Sequence, residues 1–421
     1  MLKNLRPTSN EPLTMFSRRP LLFVAGMFAL ALCTGCGSGE EGGPGSAQQG
    51  QAPAIRGEIS NPTADKPQSK LWYARNRWWA WLPTVSGSRI WQRSQAGWAL
   101  DKTLERQLTG FTGRADVWAD EETVRAVLVA KDRLLIVSLK WNASENSYRL
   151  DGEPTIWPLE NGGPLENRSG VETATITRDV LGKWWVAYDR DRSMWVRHSL
   201  DDSARQWSEP IAVSEPADTK DFCTIVALPN SVGVFWSDHV ADAFLFRRHL
   251  NSNASDEWEE IDVVAEGPDI ADDHLNAAVA DDGTLFVATK LGIDRIGEPQ
   301  LALHIRRPDG NWESHSYGQR TATVERSRPV VFLSDDSRRL HLCHSVYIDQ
   351  TDKSRTSHIA WISTDVESLD LQRPEVRLIE STLPVNSPTG AKPPLSNGVV
   401  PLVLASDGEG NVYEGRCRAT D

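Results

Sequence analysis

The chain has 421 residues, a hydrophobic content of 39% and a formal net charge of −13. This hydrophobic content excludes general disorder, and the length allows either one large all-β domain or several smaller ones. The acidic balance argues against nucleic acid as a partner and against electrostatic adhesion to anionic lipid, because both depend on a high density of lysine and arginine.

The N-terminal region resembles a bacterial lipoprotein signal peptide. Arg18 and Arg19 precede an apolar run at Leu21–Leu32 that is short for a membrane span, and small residues then lead to Cys36. The resemblance implies a signal over residues 1–36 and lipidation of Cys36. It also implies a secreted protein that is lipid-anchored at the bacterial cell envelope, in the outer membrane or the periplasm. Ordinary secretion with cleavage nearby is the alternative.

The rest of the chain divides into a tether and one domain. Residues 37–52 are rich in Gly, Ser, Glu and Gln, which predicts a flexible tether, and residues 53–421 are predicted to form a single domain. Cys223, Cys343 and Cys417 lack the spacing of a metal site and cannot all pair with one another. We therefore expect no metal and no cofactor, and one disulfide at most.

A unit of about 50 residues recurs through this domain. Each copy has an apolar run, a turn, an alternating run, a second turn and a Trp, as at Arg77–Trp98, Lys183–Pro210, Val232–Trp258 and Thr284–Trp312. Period-two alternation and turns with Gly, Asp and Asn indicate strands, and an apolar run before each unit makes four strands, a to d. The fold class predicted is all-β, a single β-propeller of four-stranded blades.

The blade count follows from the predicted starts of strand a, which lie near Leu71, Asp116, Glu172, Asp221, Asp273, Arg328 and Lys392. Seven starts predict seven blades, and six is the alternative if Leu71 or Lys392 does not begin its own sheet. The last unit lacks a strand d, which residues 53–60 could supply to close the ring. We expect most of the 17 Trp residues to pack between blades.

The turns between strands c and d resemble the S-x-D-x-G-x-x-W turn of sialidase-like, or BNR/Asp-box, propellers. The matching places are Ser199–Trp207, Arg93–Trp98 and Arg306–Trp312, and none fits the full pattern. The segments GRADVWAD, GPDIADDHLN, FWSD and VLASD are also similar to uncharacterised secreted bacterial propellers. These resemblances imply a fold and a location outside the cytoplasm. The Arg-Ile-Pro motif of sialidases is absent, which argues against a true sialidase.

The starts of strands a and the ends of strands b share one face of a propeller, where ligand sites are favoured. DDHLN at Asp272–Asn276 is the sharpest cluster there, since carboxylates beside a histidine favour general-base chemistry. The candidate catalytic residues are His274, Asp273, Asp116, Tyr188 and Glu172. The candidate ligand-binding residues are Arg114, Asp221, Trp236, Asp238, Lys290, Arg328, Tyr347 and Lys392. For any single one of these residues, a solvated or salt-bridged channel group is the simpler interpretation.

Three functions remain open, and all place carbohydrate or protein at this rim of a monomeric propeller. A sialidase-type hydrolase would use Arg114, Arg326 and Arg328 for the substrate carboxylate, and Tyr188 or Tyr347 with Glu172 as nucleophile pair. A polysaccharide lyase or other glycosidase would use His274, Tyr188 and Arg328 or Lys392, or a carboxylate pair such as Asp116 and Asp273. A non-catalytic propeller would bind glycan by stacking on Trp236 and Tyr347, or would bind an envelope protein.

Overall fold

A computed structural model describes residues 50–65, 67–159, 170–214, 218 and 220–418. These residues form seven antiparallel sheets of four strands, one of them with a fifth strand added. In six sheets the strands follow chain order from the channel outwards, and in the seventh the outer strand comes from the N-terminal part of the domain. The predicted seven-bladed β-propeller is confirmed, and the six-bladed alternative is wrong. The predicted signal peptide and Cys36 lie outside the described residues. Among those described, no helix has the length and apolar character needed to cross a membrane.

The first four blades follow one another directly along the chain, and a short helix at Lys102–Gln107 follows blade 1. In blade 1, strands a to d are Leu71–Ala74, Arg77–Thr84, Gly87–Ser94 and Gly97–Leu100. In blade 2 they are Arg114–Ala119, Thr123–Val129, Arg133–Asn142 and Thr155–Pro158, and a fifth strand, Ser147–Leu150, also pairs with strand c. They are Ala174–Arg178, Trp184–Arg190, Ser193–His198 and Ile211–Ala212 in blade 3, and Cys223–Leu228, Ser231–Asp238, Ala243–Leu250 and Asp262–Glu266 in blade 4.

The last three blades complete the ring. Their strands are Leu275–Val279, Leu285–Lys290, Pro299–Arg306 and Trp312–Gln319 in blade 5, Val324–Ser334, Arg339–Asp349, Arg355–Asp365 and Val376–Glu380 in blade 6, and Val385–Thr389, Leu402–Asp407, Asn411–Arg416 and Ile55–Arg56 in blade 7. In blade 7 Ile55 pairs with Val412 and Arg56 with Asn411, so the N-terminal segment supplies strand d as predicted. Sheets closed in this way leave few exposed edges.

The predicted start of strand a in blade 7 is wrong. Strand a runs over Val385–Thr389, so Lys392 lies beyond its end rather than at its beginning. Pro388 and a register shift between Asn386 and Thr389 interrupt the pairing with strand b. Proline has no backbone N–H to donate within a sheet and occurs in strands mainly at edges and bulges. The sequence of this segment therefore predicts a turn rather than a strand. The six other predicted starts lie within four residues of the strands observed.

Tryptophan packing between blades is confirmed. Trp118 of blade 2 meets Trp184 of blade 3 edge to face at 4.9 Å between ring centroids. Trp185 of blade 3 meets Trp258, which follows strand c of blade 4, at 6.2 Å. Aromatic pairs in this geometry add roughly 0.5–1.5 kcal/mol to the free energy of burial. The Trp residues therefore hold successive sheets face to face around the channel.

The alternation of antiparallel strands defines two faces of the ring. We call the face with the starts of strands a and the ends of strands b the upper face, and the opposite one the lower face. The c–d turn of blade 3 lies on the lower face, where Asp201 accepts hydrogen bonds from the backbone N–H of Arg205 and Gln206. Trp207 closes this turn against Trp157 at 5.1 Å. Its assignment as an Asp-box stays a prediction.

Candidate functional site

A segment of the chain crosses the upper face from the rim into the channel. This crossing segment, Gly57–Lys70, begins after strand d of blade 7 and ends before strand a of blade 1. Thr63 hydrogen-bonds Ser406 at 2.6 Å, and Gln68 donates to the carbonyl oxygen of Ala174 at 3.2 Å. The amide of Asn276 donates to the carbonyl oxygen of Pro67 at 2.9 Å. The crossing segment therefore contacts blades 3, 5 and 7 and occupies part of the mouth at which the sequence places a ligand. A pocket of about 330 Å³ remains beside it, and its lining includes Asp65, Arg114 and Glu172.

Asp116 lies beneath this segment and is fully buried. Its carboxylate accepts hydrogen bonds from the backbone N–H of Ser69 at 2.8 Å and of Ile176 at 2.7 Å, and it forms an ion pair with Lys392. Lys392 also donates to the carbonyl oxygen of Ile176 at 2.9 Å. Asp116 and Lys392, which were both predicted for the site, are therefore in contact. Their hydrogen bonds, however, connect the crossing segment with blade 3 and with the loop after strand a of blade 7, which is a structural role.

Lys70, at the end of the crossing segment, is a fully buried amine. Its Nζ donates to Oε1 of Gln68 and to the carbonyl oxygen of Ala115, both at 3.1 Å. Burial lowers its pKa to about 7, because the charged amine loses hydration that the surroundings replace only in part. The sequence does not predict that Lys70 is buried, because its burial depends on the path of the crossing segment.

The upper rim of blades 4 and 5 does bring predicted residues together. We call this set the rim cluster, and it consists of Asp221, His239, Asp272, Asp273, His274 and Lys290. Nδ1 of His274 lies 2.6 Å from a carboxylate oxygen of Asp272 and 2.6 Å from one of Asp273. Lys290 donates to Asp272 at 2.6 Å, and Nδ1 of His239 lies 2.5 Å from Asp221.

The electrostatics couple the two halves of the rim cluster. The hydrogen bond to Asp221 raises the pKa of His239, and the negative charges of Asp272 and Asp273 add to this effect. Burial raises the pKa of Asp272, but the hydrogen bond from His274 and the charges of His274 and Lys290 outweigh it, so the net pKa is lowered. Ligand atoms of Asp272, Asp273 and His274 lie within 4.8 Å of one another, so a cation could be held there if Lys290 moved aside.

The other predicted upper-face residues have structural partners. Tyr188 and Trp236 are buried at 3% and 0% exposure, and the ring of Tyr188 packs near Trp157. Asp238 accepts the backbone N–H of Val240 at 2.9 Å, which stabilises the turn after strand b of blade 4. These three side chains therefore hold blades and turns in place.

Glu172 lies beside a carboxyl group that the predicted site omits. Its backbone N–H donates to Asp189 at 2.9 Å, and that of Thr173 donates at 2.7 Å. Burial raises the pKa of Asp189 to about 7, and the charge of Glu172 contributes. Such perturbed acids are frequent at functional sites, but here the carboxylate organises the chain before strand a of blade 3.

The three arginines considered for a carboxylate clamp have separate partners. Arg114 lies 3.3 Å from Asp65 of the crossing segment, and Arg326 binds Glu375 at 2.6 Å. Arg328 donates to the hydroxyl of Tyr347 at 2.8 Å, and the guanidinium of Arg355 lies 4.4 Å from the centre of the Tyr347 ring. These contacts do not unite the arginines as a sialidase-type clamp requires.

The lower end of the channel opens into a cavity of about 500 Å³, which we call the lower cavity. Ends of strands a from blades 1 to 5 surround it, and the loop Ala391–Ser396 after strand a of blade 7 completes the wall. Pro67 of the crossing segment also contributes to the lining. Its aromatic and charged lining residues are Trp72, Tyr73, Trp118, Asp120, Glu121, Arg178 and Lys392.

The charged side chains of the lower cavity have partners. Asp120 accepts the backbone N–H of Glu122 at 2.8 Å and of Thr123 at 2.7 Å. Glu121 accepts the backbone N–H of Arg75 at 2.9 Å. Arg178 lies over the Trp118 ring at 5.9 Å and 3.8 Å from Asp120. Two acidic groups, Asp120 and Glu121, and two basic groups, Arg178 and Lys392, line the cavity, and the ammonium group of Lys392 is paired with Asp116 outside the lining.

The lower cavity was not predicted from the sequence, because the candidate residues all belong to the upper face. The signal that could have found it is the pair Tyr73 and Trp118, two aromatic residues near the ends of strands a that remain partly exposed. Tyr73 packs against Trp78 and Trp118 packs against Trp184, and both residues line the lower cavity.

Neither a protein-family model nor a curated protein matches this chain. Among solved structures it is similar to an α-L-arabinanase of Penicillium chrysogenum complexed with arabinobiose, with 13% identity, a TM-score of 0.45 and coverage of 75% of this chain and 99% of that one. A sialidase of Trypanosoma rangeli is 11% identical with a TM-score of 0.44, and 73% of this chain matches 55% of that one.

A WD40 domain from Toxoplasma gondii coronin is 10% identical with a TM-score of 0.46, covering 88% of this chain and 84% of that one. The first two names denote enzymes that act on carbohydrate, and the third does not. At these identities the likeness concerns the fold alone.

Proposed function

We propose that this protein recognises carbohydrate in the lower cavity, outside the cytoplasm, and does not turn it over. The observation that supports this is one cavity of about 500 Å³ that combines partly exposed aromatic rings with charged groups already paired. Small-ligand sites typically enclose about 300–1,000 Å³ and are lined by apolar and aromatic groups with a few polar ones. A sugar of one or two rings has this size.

The lining suits a neutral sugar. Tyr73 and Trp118 both line the cavity with partly exposed rings, and Trp118 is positioned by its contact with Trp184 and by Arg178, which lies over its ring at 5.9 Å. The apolar C–H face of a pyranose or furanose would pack against the parts of these rings that stay exposed. Thr177 and Thr224 bring hydroxyl groups to the wall. An anionic sugar would need a cation without a partner, whereas Arg178 and Lys392 each have a nearby carboxylate.

The carboxylates of the lower cavity do not form a hydrolytic pair. Glycosidases use two carboxyl groups about 5–10 Å apart, one as acid and one as base or nucleophile. Asp120 is committed to two backbone N–H groups of its own turn, and Glu121 to the backbone of Arg75. Both are held away from the proton transfers that such an enzyme requires, so binding is the better account.

We expect replacement of Trp118 by alanine to weaken sugar binding about tenfold or more, because aromatic anchors in a cavity supply much of the binding energy. The check is titration calorimetry with arabinose, xylose and mannose disaccharides, sialyllactose and uronate disaccharides. Trp118→Phe, which keeps an aromatic ring, is the matched control and should stay within about threefold of the wild-type affinity. Equal affinities in wild type and W118A would exclude the lower cavity.

The rim cluster is the second candidate, because Nδ1 of His274 lies 2.6 Å from two carboxylates and could act in acid–base chemistry. The same titrations with the double variant Asp273→Ala and His274→Ala separate the two sites. Sugar binding unchanged in this variant supports the lower cavity. Loss of binding would instead place the sugar site at the upper face. New reducing ends or ultraviolet-absorbing products that the wild type forms and the double variant does not would assign a hydrolase or lyase there.

The export part of the proposal rests on the N-terminal sequence. We expect Cys36 to carry lipid, because it follows a basic segment, an apolar run and small residues. Labelling cells with a clickable palmitate analogue should mark the wild type and leave Cys36→Ala unlabelled and free of the membrane fraction. Cys33→Ala, the matched control three residues upstream, should stay labelled. A labelled C36A protein would contradict the assignment.

A further inference from the structure

Two of the three cysteines in the described domain share one apolar cluster. Cys343 and Cys417 both belong to the core between blades 6 and 7, with Phe332 and Trp361. Cys223 lies in a different cluster, between blades 3 and 4. All three are buried and in the thiol form. The structure therefore selects one pair from three cysteines whose pairing the sequence leaves open.

Strand geometry brings the two side chains of this pair face to face. Cys343 lies in strand b of blade 6, and His341 lies two residues earlier on the same face of that strand. Cys417 follows strand c of blade 7, where its backbone N–H donates to the carbonyl oxygen of Pro401 at 2.9 Å. Cys417 and His341 line one cleft of about 250 Å³ at the lower face. The face of strand b that carries His341 and Cys343 thus looks towards Cys417.

We propose that Cys343 and Cys417 form a disulfide bond, made during folding when a disulfide-type oxidant is present. The two thiols lose their protons and two electrons, one S–S bond forms between Cys343 and Cys417, and the oxidant's S–S bond is cleaved to two thiols that take up the protons. This inference is independent of the proposed ligand. It concerns how the ring is closed.

The surroundings indicate when the bond forms. Burial and the adjacent Cys343 thiol raise the pKa of the Cys417 thiol, which opposes the thiolate needed for exchange. Burial lowers the pKa of His341 to about 3, so the imidazole beside the cleft is neutral and gives no cation to stabilise a thiolate. In the folded protein the thiols of Cys343 and Cys417 are therefore slow to react. We expect them to be oxidised earlier, during folding, when blade 7 docks on blade 6.

A bond here would reinforce the closure of the ring. Blade 7 is completed by a two-residue strand, Ile55–Arg56, and its strand c ends at Arg416, next to Cys417. Linking Cys417 to blade 6 restrains the C-terminal end of the chain in the unfolded ensemble as well. An oxidising compartment, as the predicted export implies, is where such bonds persist.

The test compares the full chain refolded in a glutathione redox buffer with the same chain refolded with a phosphine reductant. Blocking free thiols under denaturing conditions and mapping peptides by mass should show a Cys343–Cys417 cross-link and an alkylated Cys223. We also expect the midpoint of thermal unfolding to rise by about 5 °C or more on oxidation. Cys223→Ala should keep both effects, and Cys417→Ala should lose both.

Two results would overturn the inference. Alkylation of Cys343 and Cys417 in the oxidised, correctly folded protein would show that the pair does not form. A cross-link that includes Cys223 would show that thiols pair before the blades impose their geometry. If Cys417→Ala does not fold, Cys343→Ser and the peptide map of the wild type still decide the question.

Discussion

Replacing Asp116 with alanine is expected to reduce the free energy of unfolding by about 3–5 kcal/mol, the cost of breaking a buried ion pair from one side. The substitution leaves the ammonium group of Lys392 without its carboxylate, in a place where Lys392 is only partly hydrated. It also removes the acceptor for the backbone N–H groups of Ser69 and Ile176. Each buried donor left unpaired costs about 1–3 kcal/mol.

Urea denaturation of D116A and of the wild type measures this loss. Asp202→Ala removes an exposed carboxylate and should change stability by no more than about 0.5 kcal/mol, which makes it a suitable control. Hydrogen exchange at the amides of Ser69 and Ile176 should accelerate in D116A, because both lose their acceptor. A loss below about 1 kcal/mol would mean that Asp116 does not hold the crossing segment.

The partner of Asp116 provides a second comparison. Replacing Lys392 with methionine removes the charge that D116A leaves unpaired, so the double variant should be less destabilised than the sum of the two single variants. Residues in direct contact show coupling energies of about 0.5–3 kcal/mol. Strict additivity would show that the ion pair across the channel contributes nothing to stability.

Between pH 7 and pH 9 the free energy of unfolding of the wild type is expected to rise by about 2 kcal/mol, and replacing Lys70 with methionine should remove this rise. The folded-state pKa of Lys70 is about 7 because of burial, while an unfolded lysine titrates near 10.4. Between these values the unfolded chain binds more protons than the folded one. Stability therefore increases with pH in this window, and below pH 7 the contribution is constant.

The comparison of wild type with K70M isolates this group. The charges that face Lys70 are Asp65, Arg114, Asp116 and Lys392, and all are present in both proteins. Asp189 acts in the opposite direction and at lower pH. Burial raises its pKa to about 7, so its contribution is lost as pH rises from about 4 to 7. Parallel pH profiles for wild type and K70M would show that the buried amine is not neutral at pH 9.

The repeat in the sequence predicts much of the ring, because strands b and c of each blade alternate with period two between recognisable turns. Trp184–Arg190 and Ser193–His198 illustrate this, since both lie within the repeat unit at Lys183–Pro210 and are joined by a charged turn. The inner strand of blade 7 was harder to place. A proline-containing bulge at Asn386–Thr389 breaks its alternation, and only pairing with Leu402–Asp407 identifies it as a strand.

The rim cluster contains residues that are neighbours in the sequence, whereas the lower cavity is lined by residues that are far apart in the sequence. Asp272, Asp273 and His274 are consecutive in the chain, so their proximity could be predicted without knowledge of the ring. The lower cavity is assembled from the ends of five inner strands and the loop Ala391–Ser396. No spacing in the sequence relates Tyr73 to Trp118 or Lys392, because the distance between them depends on the curvature of the whole ring.

By itself, the sequence determined the class of fold, because alternation, turn residues and repeat length are local properties. It favoured seven blades over six and offered residues 53–60 for the closure of blade 7. Only the tertiary structure decided that a cavity of about 500 Å³ lies at the lower end of the channel. The crossing segment has no periodicity, and its path is set by contacts with distant residues, such as Thr63 with Ser406 and Ser69 with Asp116. These contacts place the segment across part of the upper mouth, whereas the lower cavity lies at the opposite face.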